Sequence, residues 1–276
     1  MDIKLIALDM DGTVYYRMGE IVPSNIPPLH AAIAQGIDVA IVTGRPVLAP
    51  PNKLKKHGLV SDKTVIVGYN GGCIYHVEKE EVIHSNPIDS EMAKKVFELI
   101  EKPEYSQTIF WGYVDDLKQS VLAHNFKSED EIIIPVYKAE KTFFEGKYLY
   151  FKDIKDNFNF KFFKILAFNL QPGLVEELKK IGLEFSISSQ AIEINAPGIN
   201  KKFAVEWLSK NWNVSVENIM AIGDGSNDLP MIEYAGVGVA MKNSIQEIKD
   251  IAQIYIDLTN EEGAVGEVIN QYVLKK

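Results

Sequence analysis

A single cysteine, Cys73, stands among 276 residues, so no intramolecular disulfide can form and nothing in the chain calls for an oxidising compartment. Cys73 is expected as a small buried hydrophobe rather than a reactive thiol. No uninterrupted apolar run reaches the length of a membrane span, and the N-terminus meets Asp9 and Asp11 too early to carry a signal-peptide apolar stretch. A cytoplasmic location with no membrane partner is therefore the expectation. Positive charge is also short. The 29 lysines and arginines face 38 aspartates and glutamates, and a net charge of −9 argues against a nucleic-acid backbone binder and for a small substrate. Internal repeats and low-complexity tracts are missing as well.

What is present is apolar residues, 46% of the chain, enough at this length for one large domain or two smaller ones. Residues 3–8 form a short apolar run that opens into Asp9-Met10-Asp11-Gly12-Thr13, the pattern of a buried strand entering a loop. A helical pattern at Leu29, Ala32 and Ile33 follows. A second apolar strand at 37–42 is broken by Thr43-Gly44-Arg45-Pro46, a polar helical stretch runs near 53–57, and a third strand at 64–68 precedes Asn70-Gly71-Gly72. This alternation predicts a parallel α/β sheet of Rossmann-like type. Pro50-Pro51 is expected to delay the helix that follows.

Beyond Val82 the texture changes. Aromatic and charged residues dominate, strand-like stretches at 108–113 and 162–169 suit a half-exposed sheet, and helical patterns at 91–100 and 174–181 lie between them. From Lys201 the first texture returns, with a helix through Trp207 and apolar strands at 219–222, 237–241 and 254–256. The prediction is one discontinuous α/β domain, residues 1–82 and 190–276, interrupted by an inserted α+β domain at 83–189.

In an open parallel sheet, ligands bind outside the carboxyl ends of the strands. Polar clusters follow three separate apolar runs here: Asp9 and Asp11, Thr43 and Gly44, then Asp224 and Asp228. Carboxylates crowded at one sheet edge repel unless a cation lies between them, and all-oxygen ligation suits Mg²⁺. A carboxylate is also a competent covalent nucleophile toward a phosphoryl group, and a second carboxyl group two residues on can exchange the proton. The Thr43 hydroxyl and Gly44 amide can hold phosphoryl oxygens, and Lys201, at a helix start, can neutralise them.

These residues carry a family resemblance. Asp9-Met10-Asp11-Gly12-Thr13, Thr43-Gly44-Arg45-Pro46, Asn70-Gly71-Gly72, Lys201 and Gly223-Asp224-Gly225-Ser226-Asn227-Asp228 occur in the order and approximate spacing of the haloacid dehalogenase-like hydrolases. More narrowly the chain resembles the Cof-type sugar-phosphate phosphatases, whose type IIB cap domain is inserted after the third core strand. The resemblance implies that Asp9 is nucleophile and metal ligand. It makes Asp11 the acid/base, whose backbone carbonyl also meets the metal, and Asp224 a further ligand. Asp228 would bind through water or hold the metal shell. Thr43 and Gly44 would contact the phosphoryl group, Lys201 would bridge it to Asp9, and Asn227 is a further phosphate contact. The inserted segment would be a cap facing the leaving group, where Phe110, Trp111 and Tyr113 either stack on a sugar or, as aromatics more often do, fill the cap's own core.

The expected activity is Mg²⁺-dependent hydrolysis of a small phosphorylated metabolite through an aspartyl-phosphate. A phosphomutase would use the same intermediate and return the phosphoryl group to a sugar. A non-catalytic binder of phosphorylated metabolites would have lost a chemical residue, and none is lost. Dehalogenation needs neither the acid at Asp11 nor a metal.

Overall fold

The computed structural model describes residues 1–16, 19–188 and 191–275. The chain divides into two units, Met1–His84 with Asn200–Lys276, and Ser85–Ile199.

The first unit is built on a sheet whose strand order is Ile254–Ile256, Val237–Met241, Ile219–Gly223, Leu5–Leu8, Asp38–Val42, Val65–Gly68, Cys73–His76 and Glu81–Ser85. Neighbours run parallel from Ile254–Ile256 through Val65–Gly68, and the turn at Asn70 then sends Cys73–His76 back antiparallel. Leu5–Leu8 and Ile219–Gly223 are buried along their whole length, which is why they read as continuous apolar runs rather than as alternation. One face packs Leu5, Ala7 and Ala221 against Ala204, Val205 and Leu208 of the helix Lys201–Trp212. The other sets Leu8, Val39 and Ile41 among Leu29, Ile33 and Leu54 of the helices Ile26–Ala34 and Pro51–Lys56. That second helix starts on Pro51 itself. A proline in the first turn loses no hydrogen bond, so Pro50-Pro51 begins the helix instead of delaying it.

In the second unit a six-stranded sheet has the order Lys147–Tyr150, Gln119–Ala123, Ile109–Val114, Phe162–Phe168, Ala191–Asn195, Glu184–Ile187. Helices Ser90–Glu98 and Leu174–Ile181 pack with it, the first capped by the Asp89 carboxylate, which accepts from the Met92 amide at 2.9 Å. The sequence suggested a half-exposed sheet, but Ile109–Val114 and Phe162–Phe168 are wholly buried. Phe97 covers one face, sitting over Gly112 and 5.2 Å ring to ring from Phe162. Tyr137, Phe144 and Tyr148 close around Trp111 on the other. Phe110, Trp111 and Tyr113 therefore fill this unit's core, the Trp111 indole donating to Ser120 Oγ at 3.1 Å.

The seams differ from the expected boundaries. The first falls at His84/Ser85, at the end of the second of two strands, Cys73–His76 and Glu81–Ser85, that extend the sheet beyond the third parallel one. The second was expected at Ser189/Gln190, which lie outside the described residues, and is found at Ile199/Asn200. Ala191–Asn195 pairs antiparallel with Phe162–Phe168 and with Glu184–Ile187, so residues 191–199 belong with the inserted unit rather than the core.

Candidate active site

Two loops at the carboxyl ends of neighbouring strands bring the acidic residues together. Asp9 directly follows Leu5–Leu8 and extends the ladder, its amide donating to Ile222 O at 3.0 Å, and Asp224 directly follows the adjacent strand Ile219–Gly223. Asp228 lies four residues on, at the start of the helix Leu229–Tyr234. One carboxylate oxygen from each of Asp9, Asp224 and Asp228 lies within 4.8 Å of the others.

Lys201 enters this cluster from the first turn of its helix. Asn200 caps that helix, its side-chain oxygen accepting from the amides of Lys202 at 3.0 Å and Phe203 at 3.3 Å. The Lys201 ammonium donates to Asp9 Oδ1 at 2.6 Å and Asp228 Oδ1 at 2.5 Å and has no solvent exposure. Lys202 points outward and pairs with Glu206. The second Asp228 oxygen accepts from the amides of Asp224 and Gly225, both at 2.9 Å, so this carboxylate shapes the loop that carries Asp224.

The electrostatics follow from the charge count. Burial, then Asp228, push Asp9 well above the usual carboxylate range, with Lys201 opposing. Burial, then Asp228, push Asp224 up to about 7. Burial pulls Lys201 down, yet Asp228 and Asp9 outweigh it and hold the ammonium above the ordinary lysine range. Three carboxylates against one ammonium leave two negative charges, the deficit that one divalent cation cancels. The donors are all oxygen, so the residues fit a hard cation such as magnesium.

The Asp11 carboxylate stands apart from this cluster. It is exposed and is gripped by Arg45 through both Nε and Nη2, a two-pronged contact that sequence reasoning did not anticipate. Only its backbone remains available to the position that the resemblance assigned it near a metal. Thr43, buried after the strand Asp38–Val42, accepts the Arg45 amide on its hydroxyl at 3.1 Å, which leaves the hydroxyl proton for another acceptor. Gly44 lies between them. Asn227 donates to Asn70 Oδ1 at 3.2 Å, and Asn70 itself occupies a left-handed turn with φ 58°. Thr13 donates to Asp224 Oδ1 at 3.3 Å. Asn70, Arg45 and Thr13 lie inside the Asn70-Gly71-Gly72, Thr43-Gly44-Arg45-Pro46 and Asp9-Met10-Asp11-Gly12-Thr13 motifs, the sequence signal that marks them.

A parallel α/β sheet whose strand ends gather aspartates, a buried lysine and a threonine-glycine turn defines a hydrolase of the phosphoryl-transfer class. The chain belongs to the haloacid dehalogenase-like hydrolase family, whose model matches residues 6–269. Within it the chain groups with the Cof-type proteins and is by class a phosphoric monoester hydrolase. It is similar to the phosphatase YwpJ of Bacillus subtilis (strain 168), with 28% identity over 97% of this chain and 99% of the relative. It is also similar to the 5-amino-6-(5-phospho-D-ribitylamino)uracil phosphatase YcsE of the same organism, with 30% identity over 99% of this chain and 97% of the relative. Among solved structures, a haloacid dehalogenase-like hydrolase from Bacteroides thetaiotaomicron superposes with a TM-score of 0.76 at 25% identity, covering 98% of this chain and 99% of that one. A HAD subclass IIB sugar phosphatase shares the fold with a TM-score of 0.78 at 21% identity, covering 98% of each chain. No described helix is long and apolar enough to cross a membrane.

Proposed function

We propose that this protein is a magnesium-dependent phosphatase that hydrolyses a small phosphorylated metabolite of the sugar-phosphate class through an aspartyl-phosphate on Asp9. The observation that carries the reading is the buried Asp9–Lys201–Asp228 chain beside Asp224, a nucleophile and its charge partner set at adjacent strand ends. A relative that acts on a phosphoribityl compound supports a sugar-like or polyol leaving group. Nucleic acid is not a partner in this reading, and the enzyme works in the cytoplasm.

Asp9 and Asp224 would hold the magnesium ion with the Asp11 backbone carbonyl, and Asp228 would brace that shell through the Asp224 loop. When bound, the ion supplies positive charge against the phosphoryl oxygens. Thr43 and the Gly44 amide receive two phosphoryl oxygens, Asn227 contacts a third position, and Lys201 neutralises the group while holding Asp9. A carboxylate oxygen of Asp9 attacks phosphorus, the bond from phosphorus to the leaving oxygen breaks, and Asp11 gives that oxygen its proton. To do so, Asp11 exchanges the Arg45 guanidinium for the leaving oxygen. Water then attacks the aspartyl-phosphate, its proton passes to Asp11, and the Asp9–phosphorus bond breaks to free phosphate. Residues 85–199 act as the cap that sets leaving-group preference.

The test is phosphate release across a panel of sugar and polyol phosphates in magnesium. Wild type should release phosphate, chelation should abolish release, and Asp9→Asn should lower turnover by roughly 10⁴-fold or more, as loss of a covalent nucleophile does. An isomeric sugar phosphate accumulating without free phosphate, or near-normal turnover in Asp9→Asn, would overturn the reading.

A further inference from the structure

We propose that Asn243 is a positioning residue for the acid/base Asp11, acting with Asn260 through the backbone of the loop that carries it; this rests on the phosphatase reading above. The Asn243 side-chain amide donates to the Gly12 carbonyl at 2.7 Å, one residue beyond Asp11, and its oxygen accepts the Asn260 amide at 2.9 Å. Asn260 in turn donates through Nδ2 to the Tyr15 carbonyl at 2.8 Å. The two side chains hold both ends of the turn from Gly12 to Tyr15. Their orientation is fixed, because a carbonyl accepts only from the NH₂ end and an amide N–H donates only to the oxygen end.

The Thr13 and Tyr15 amides tie that turn to Met10 O and the Thr13 hydroxyl ties it to Asp224, and the two asparagines add the hold on its end carbonyls. Gly12 sits at φ 74°, and a Cβ there would overlap the Asp224 carboxylate, so no side chain at this position can pin the loop. Asp11 itself is exposed, so Arg45 rather than burial holds its carboxylate, and the backbone beneath it is set by the turn. The turn that presents Asn243 also grips the other half of the site. Ser244 Oγ donates to Gly223 O at 3.0 Å, and the Ile245 amide donates to Asp224 O at 2.9 Å. Asn260 is stationed by Thr259, whose amide donates to Glu262 and whose hydroxyl accepts the Glu262 amide in a capping box. One short turn therefore sets the Asp11 loop against the Asp224 loop. Proton transfer needs hydrogen-bond reach, and a displacement near 1 Å costs about 10²-fold, so Gly12 losing its donor should be felt at the Asp11 carboxyl group.

The experiment compares leaving groups at saturating magnesium. Asn243→Ala should lower kcat by roughly 10²-fold on a polyol phosphate, whose departing alkoxide needs a proton. On p-nitrophenyl phosphate, whose leaving group departs without one, the pre-steady-state burst should fall less than about threefold, because no proton is delivered in that step. In an Asp11→Asn background, Asn243→Ala should cause no further loss on the polyol phosphate, the non-additivity expected of residues acting through one group. If Asn243→Ala does not fold, Asn260→Ala should show the same split at smaller size. Equal losses on both leaving groups, or additive losses with Asp11→Asn, would reduce Asn243 to a structural residue. Phosphate release from neither compound by wild type would instead overturn the phosphatase reading, and the inference with it.

Discussion

Replacing Lys201 with methionine keeps most of the stem's volume and removes the ammonium that Asp9 and Asp228 share. The two carboxylate oxygens lie 2.6 and 2.5 Å from that nitrogen, so they stand no more than about 5 Å apart, a separation worth about 3 kcal/mol of repulsion at an effective dielectric near 20. Stripping one partner from a buried ion pair costs about 3–5 kcal/mol, and here two buried carboxylates lose a common partner. A loss of about 4 kcal/mol is expected near pH 8 in chelator. Protonation relieves the penalty. Without Lys201, Asp9, already raised by burial, sits still further above its unfolded value. Such groups destabilise the fold as pH rises above the unfolded carboxylate range and cease to do so as pH falls. The deficit should shrink by half or more near pH 5, and magnesium should recover part of it near pH 8. Urea unfolding at both pH values, with and without magnesium, measures this. A deficit equal at both pH values would show that Lys201 contributes packing rather than charge, and would refute the electrostatic argument.

Magnesium binding should release protons, because Asp224 is pushed up to about 7 and Asp9 lies well above its usual range. Apparent affinity should weaken up to about tenfold for each pH unit below 7 per proton displaced, read by calorimetry in buffers of different ionisation enthalpy; pH-independent affinity would count against it. Gly12→Ala, at a left-handed position beside the Asp224 carboxylate, should cost about 1–2 kcal/mol in backbone strain alone and depress turnover more than it lowers the unfolding midpoint. Phe97→Ala, which empties the ring contacts with Phe110, Phe151 and Phe162, should cost about 3–5 kcal/mol, followed by Trp111 fluorescence in a Trp207→Phe, Trp212→Phe background.

How far the sequence foretold the site depends on how each residue is positioned. Asp9, Thr43 and Asp224 were legible because each directly follows an apolar strand, and parallel strands carry the residues at their carboxyl ends to one edge whatever lies between them. Lys201 was legible for a related reason, since Asn200 begins its helix and leaves the first side chain at the mouth of the sheet. The Arg45 grip on Asp11, the Asn70–Asn227 contact and the Asn243–Asn260 clamp were not. They join loops 34, 157 and up to 245 residues apart, and no local periodicity encodes which distant carbonyl a side-chain amide will meet.

The errors in the inserted unit share one cause. The stretch Ala191–Asn195 carries no mark in its own residues of which sheet it joins, and only its antiparallel partners, Phe162–Phe168 and Glu184–Ile187, assign it to the inserted unit's sheet. The strand Ile109–Val114 reads as half exposed because it alternates within a stretch rich in aromatic and charged residues, yet Trp111 and Tyr113 need partners only for their polar tips. Those tips find Ser120 and Glu140, and the rings are then free to be buried under Tyr137 and Phe144. A strand's exposure is set by what covers it, and the covering here comes from residues some 25 to 35 positions downstream, in and just after the helix Pro135–Phe143, which nothing in the strand itself marks. The acidic site escapes this difficulty. Its residues are placed by the ends of strands, whose positions the apolar runs mark directly, whereas the side chains that hold those ends in register are placed by contacts that exist only once the sheet has formed.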